Sequence, residues 1–262
     1  MMNTRINRCF DRCRAEKRGA LIVYATVGCP TPAESEKLID RLIESGADMI
    51  ELGVPFSDPM ADGPVIQKAG QVALKAGTKL ADILAIAGRI RAKHPETPLV
   101  LFSYYNVLFN RGLDKLGGEL KKAGVDGVLV VDLPLEERGE IMPMCEKYGI
   151  SFIPLVSPAT SPERAAKIAA GCDGFVYCIT VRGVTGVRSS LPPELAAELE
   201  NAKKACNLPV AAGFGISTPE MAKGVAAHAD AIVVGSAMVG KVLNEGCDAA
   251  VKLIADIARG LK

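Results

Sequence analysis

GADMIELGVPFSDPMADGPVIQ, Gly46 to Gln67, decides how the chain is read. It begins as a short apolar strand with one carboxylate, Glu51, inside it. Pro55 ends the strand, Ser57-Asp58-Pro59 forms a polar loop, and a second acid, Asp62, precedes a helical pattern that resumes at Val65. Acids are rarely buried without a partner, and apolar surroundings push a carboxyl's pKa up. Such an acid can give and take a proton near neutral pH.

The same unit echoes along the chain. GADMIELG (46–53) is matched by GVDGVLVVD (124–132), GCDGFVYCI (171–179) and HADAIVVG (228–235). In each, a helix ends, a small residue and an Asp turn the chain, and an apolar strand begins. PLVLFSY (98–104), ISFIPLV (150–156), LPVAAGF (208–214) and ALIVYAT (20–26) bring the strands to eight. Helical segments are predicted from Pro32 to Gly46 and over about 62–77, 80–94, 112–123, 135–148, 161–170, 193–205, 217–227 and 237–260. Alternating helices and doubly buried strands imply a parallel sheet. Eight units in 262 residues fit an α/β fold of the (β/α)8 TIM-barrel type, with a doubly wound open sheet as the alternative. No linker divides residues 1–262, so one domain is expected. The basic first eighteen residues carry Ile6, Cys9, Phe10 and Cys13 in helical register, an extra N-terminal helix capping the barrel.

Composition narrows the function. Apolar residues make up 49% of the chain and its formal net charge is +1, which argues against disorder and against electrostatic nucleic-acid binding. No apolar run is long enough to span a membrane and no signal-type segment precedes the first strand, so a cytoplasmic protein is expected. The eight cysteines are scattered without a C-x-x-C, and His94 and His228 lie far apart. They read as reduced core thiols, with no metal site expected.

In a barrel of this type the chemistry gathers at the C-terminal ends of the strands. Those ends carry Thr26 and Gly28, Glu51 to Asp62, Tyr104 to Asn106, Asp132, Thr180 to Ser190, Gly213 to Ser217 and Gly235-Ser236. GFGIS (213–217) and GSA (235–237) each lead into a helix, so backbone N–H groups and a helix dipole can meet a phosphate there. RGVTG (182–186) adds a third glycine-rich turn, within a long polar loop, 180–192, of the kind that closes over a ligand. Glu51 is either catalytic or a structural acid satisfied by a buried donor. Asp62 either serves the site or caps the next helix. Asp58 suits an ordinary turn; Asp132 and Asn106 suit loop ordering. Tyr24, Phe102, Leu129, Tyr177 and Phe214 lie near strand ends, as core or as the lining of an apolar pocket. Asp48, Asp126, Asp173 and Asp230, at the opposite strand ends, read as turn-making and backbone-capping residues.

ELGVPFSDPMADGPVIQ, the GVTG of 183–186, GFGIS and GSA, in that order, closely resemble the tryptophan synthase α-subunit family over nearly the whole chain. The resemblance implies a TIM barrel that cleaves indole-3-glycerol phosphate to indole and glyceraldehyde 3-phosphate. It implies Glu51 as the acid/base at indole C3 and the side-chain hydroxyl, and Asp62 as the partner of the indole N–H. Gly186, Gly215, Gly235 and Ser236 would hold the phosphate. Tyr24, Phe102, Leu129, Tyr177 and Phe214 would surround the ring, with Thr185 of the lid meeting Asp62. The family implies a β-subunit partner in an α2β2 assembly, contacted by loop 54–62, residues 106–110 and the Asp132 loop. Pyridoxal phosphate would belong to that partner, and no cofactor to this chain. No strand lysine is placed for a Schiff base; Lys68 and Lys75 fall on a helix. Cys29 and Val181-Arg182 depart from common family residues, which bears on lid closure rather than on the acids. A free-standing indole-glycerol-phosphate lyase and a non-catalytic regulatory barrel remain as alternatives.

Overall fold

The computed structural model describes residues 4–157, 159–179, 193–213 and 215–262. Its strands are β1 (Ala20–Thr26), β2 (Met49–Gly53), β3 (Leu99–Ser103), β4 (Gly127–Val130), β5 (Ser151–Ile153), β6 (Leu155–Val156), β7 (Val176–Ile179), β8 (Val210–Gly213) and β9 (Ala231–Val234). All pair in parallel, in the order β5-β4-β3-β2-β1-β9-β8-β7-β6. The two edge strands belong to one stretch interrupted at Pro154, which has no N–H to give to a ladder. β5 pairs with β4 and β6 pairs with β7, so that stretch closes the ring. The nine short strands are therefore eight staves of a (β/α)8 barrel, and the open-sheet alternative falls away.

The helices are α1 (Arg5–Ala15), α2 (Pro32–Glu44), α3 (Pro64–Lys75), α4 (Leu80–Lys93), α5 (Tyr105–Arg111), α6 (Leu113–Ala123), α7 (Met142–Tyr148), α8 (Pro162–Ala169), α9 (Pro193–Ala205), α10 (Pro219–Ala226), α11 (Ser236–Glu245) and α12 (Cys247–Leu261). Three expectations need correction. α5 lies where a plain loop was expected, its first N–H held by a carboxylate from the next stave rather than by a local capping signal. The helix expected over 135–148 is a 3-10 turn, Arg138–Glu140, followed by α7. The closing helix is two helices, broken at Gly246, whose φ of +89° suits glycine.

Side-chain alternation sorts the strands into two cores. Ile50, Leu52, Leu101, Val128 and Val130 face the helices. Ile22, Met49, Val100, Leu129, Ile153 and Phe175 fill the barrel interior, where they meet Ile6, Cys9, Phe10 and Cys13 of α1. Phe10 and Phe175 have ring centroids 5.7 Å apart, so α1 plugs the N-terminal end of the barrel as its apolar stripe predicts. Residues two beyond an interior position share its face. Glu51, two past Met49, therefore stands inside the barrel one layer higher.

At the N-terminal ends of the strands the repeated Asp has a definite job. Asp48 accepts the Leu21 N–H, Asp126 that of Leu99 and Asp230 that of Val210, each at 2.9 Å. Each turn thus caps the first residues of a neighbouring stave. Arg12 and Arg18 also bind Asp48, and Arg5 and Arg91 bind Asp126, which ties α1 to the barrel. Asp173 instead borders an open depression beside Asn7, Asp11 and Arg14 of α1.

Candidate active site

The uppermost interior layer encloses a cavity of about 220 Å³ at the C-terminal ends of the strands. Tyr24, Phe102, Val131, Leu155 and Tyr177 supply its apolar wall. Tyr24 meets Phe102 edge-on at 5.1 Å, and Phe102 meets Tyr177 at 6.4 Å. Glycines make the room. A Cβ on Gly53 would sit 2.3 Å from the Tyr24 hydroxyl, and one on Gly213 would sit 2.4 Å from that of Tyr177. Any side chain at either position displaces a ring.

The lining corrects one expectation. Leu129 is fully buried in the interior layer beneath, packed with Ile153 and Phe175, and does not border the cavity. The side chain two residues on, Val131, takes that place because strand alternation returns to the same face at the higher level. Val131 and Leu155 were missed at the sequence level, and Gly53 and Gly213, which fall within strand ends already singled out, were not read as making room for the rings. Alternation from Leu129 and Ile153 was the signal that could have found the first two; the glycines leave no signal before the tyrosines across from them are placed. Phe214, Gly186 and Thr185, with the rest of the proposed lid, lie outside the described residues.

Glu51 is 0% exposed, and neither of its carboxylate oxygens has a hydrogen-bond partner among the described residues. The structural alternative, an acid held by a buried donor, therefore finds no support there. Burial alone raises its pKa from 4.5 to about 8, so the carboxyl is protonated at neutral pH. Glu51 itself is not among the residues that border the cavity. Tyr24 and Tyr177, which do border it, both sense the charge of Glu51, and Tyr24 also senses that of Asp62. Their own hydroxyls are pushed far up by burial, so both rings remain neutral.

Asp62 sits on the cavity's rim, half-buried. Burial raises its pKa and a hydrogen bond from Tyr104 partly offsets the rise. The capping alternative is not realised: the N-cap of α3 is Gly63, without a side-chain cap, and what Asp62 offers the helix is its backbone carbonyl, to Gln67. Tyr104 also accepts the Ala61 N–H at 3.0 Å and stacks on Phe56, so one ring fixes both ends of the Asp62 loop. Asp132 orders a neighbouring loop as expected, accepting the Tyr105 N–H at the start of α5. Asn106 lies within α5 rather than in a loop, and its side chain accepts from Asn110 one turn on in the same helix.

Gly215, Gly235 and Ser236 border the same cavity from β8 and β9. Gly235 is the N-cap of α11 and Ser236 its first residue, so free N–H groups and the positive end of the helix dipole face that side. Gly215 has φ +27°, which disfavours any side chain there. At the other end of the barrel Cys9, Cys13 and Asp48 bring potential ligand atoms within 4.8 Å. Both Asp48 oxygens are held there by Arg12 and Arg18, whose charges oppose a cation.

A family model described as "Tryptophan synthase alpha chain" matches residues 10–259. A protein of that name from Novosphingobium aromaticivorans is 45% identical over 247 residues, 94% of this chain and 91% of that one. The structure of the tryptophan synthase alpha chain from Legionella pneumophila superposes with a TM-score of 0.91 at 34% identity, covering 98% of this chain and 97% of the other. The aminoacrylate-bound tryptophan synthase of M. tuberculosis matches at 0.89 and 32%, covering 99% and 100%. With the match running almost from end to end, the chain belongs to the tryptophan synthase alpha chain family.

Proposed function

We propose that the chain, a lyase of tryptophan synthesis by family, cleaves indole-3-glycerol phosphate to indole and glyceraldehyde 3-phosphate. The observation that carries this is Glu51: a protonated carboxyl, unpartnered among the described residues, beside the tyrosines Tyr24 and Tyr177 that wall a ring-sized cavity. In the first step Glu51 gives its proton to indole C3, and positive charge develops at the ring nitrogen, where the Asp62 carboxylate stabilises it. In the second, Glu51 takes the proton of the side-chain hydroxyl. The bond from C3 to the side chain breaks, its electrons return to the ring, and an aldehyde leaves. Glu51 ends protonated, as it began. The helix start at Gly235-Ser236 and the Gly215 turn hold the phosphate while the reacting carbon is presented to Glu51. These steps use only side chains of this chain.

Indole would pass to a pyridoxal-phosphate-bearing β subunit in an α2β2 assembly. Met60 on the Asp62 loop and Phe109 on α5 are 86% and 58% exposed, apolar groups on two of the segments expected to meet such a partner. The test is indole release from indole-3-glycerol phosphate, with and without an added β subunit. Weak release alone and strong activation by the partner are expected. Full turnover alone would favour a free-standing lyase, and none under either condition would overturn the reading.

A further inference from the structure

We propose that Val131 and Leu155 form a partition that limits the size of indole ring the site accepts, with a larger chamber behind it. The inference rests on the proposed reaction. The second cavity, about 870 Å³, is bounded by the loops that follow β4 and β6, and it shares only Val131 and Leu155 with the substrate cavity. Its existence follows from the closure of the barrel. β4 ends at Val130, β5 pairs with β4 only as far as Ile153, and Pro154 interrupts the stave before β6 turns to β7. Above that point no ladder joins β4 to β6, and side chains alone make the wall.

The chamber has an apolar side and a polar one, the latter carrying Asp132 and the hydroxyls of Ser157, Thr160 and Ser161. Leu133, Leu135, Phe152 and Ile168 line it. Its two arginines are engaged elsewhere: Arg138 donates to the carbonyls of Ile168 and Ala170, and Arg164 pairs with Glu136. The remaining acid, Asp132, accepts the Tyr105 N–H. The chamber's position also fits the substrate. In the ring of eight staves β9 stands opposite β4, four places away in either direction. A substrate with its phosphate at Gly235-Ser236 reaches across the mouth, so the edge of the ring farthest from the phosphate meets Val131 and Leu155. A group added to that edge collides with the partition in the parent and enters the chamber once the partition is cut back.

The experiment compares kcat/KM of the full chain for indole-3-glycerol phosphate and for its analogues phenyl-substituted on the six-membered ring. Val131→Ala and Leu155→Ala are each expected to raise the ratio of substituted to unsubstituted substrate by on the order of tenfold or more, the scale of pocket-size discrimination. Adding Ala159→Phe, which fills the chamber from its far loop, is expected to cancel the gain. Since any general loss of folding affects both substrates, the ratio stays readable in a weakened variant. Cleavage of the unsubstituted substrate with a ratio unmoved in both variants overturns the partition alone. A gain that survives Ala159→Phe assigns it to looseness rather than to the chamber and also overturns it. No cleavage of either substrate by the parent overturns the reaction and the partition together.

Discussion

The two ends of this barrel treat their acids in opposite ways. At the N-terminal end Asp48 lies 5% exposed with two arginines and a backbone N–H on its oxygens. Burial alone would raise its pKa, but Arg18, the Leu21 N–H and Arg12 outweigh it, and the group titrates below 3.8. At the C-terminal end Glu51 is just as buried, has no such partner among the described residues, and titrates at about 8. The same residue class in the same desolvated setting becomes a clamp or a proton store according to whether a donor is supplied. Paired acids hold the fold together; the unpaired one is a cost that the fold carries.

The comparison can be broken at several strengths. Glu51→Gln keeps shape but cannot exchange a proton, so cleavage should fall by about 10³–10⁴, while affinity for a non-cleavable indole phosphate changes little. Rapid turnover by this variant would remove the central role of the acid. Asp62→Asn withdraws the charge that balances the ring nitrogen and should lose about 10²–10³ in kcat. Asp48→Asn leaves guanidinium groups facing a neutral amide; denaturant titration should show a loss of about 3 kcal/mol. Indole release per folded molecule should stay close to the parent's, and a large fall in kcat at normal stability would contradict the division between the two ends.

Stability against pH separates the ends further. For Glu51 the unfolded chain titrates near 4.5 and the folded one at about 8. Between those values the folded state binds the extra proton, so this group makes stability fall as pH rises from 4.5 to 8. Asp48 has the reverse sign: its contribution is present above 3.8 and is lost as pH drops through its lowered folded value. Glu51→Gln should therefore melt higher than the parent, with the gap opening between pH 5 and pH 8 to the order of a few kcal/mol. A gap that does not change with pH would mean that Glu51 is not a buried, protonated acid. The smallest effect is expected at Asp173, which borders an open depression: Asp173→Asn should stay within about 0.5 kcal/mol.

Much of this was legible in the sequence. Eight apolar runs alternating with helical patterns fixed the class of fold, because strands buried on both faces must be covered by helices. The repeated small-residue-Asp turn marked the N-terminal ends, and the stripe Ile6, Cys9, Phe10, Cys13 placed α1. An acid set within an apolar strand singled out Glu51, and Gly235-Ser236 before a helix marked the anion side. Tertiary structure alone decided the rest. Whether Glu51 and Asp48 had donors depended on Arg12 of α1 and Arg18 of the turn after it, which reach one end of the barrel and not the other. Which side chains wall the cavity depended on the level each stave reaches, so Val131 replaced Leu129 and Gly53 and Gly213 took on meaning only beneath the rings of Tyr24 and Tyr177. The physical reason is range: periodicity and turn chemistry are local, whereas pairing, desolvation and cavity shape are set by residues brought together from distant parts of the chain.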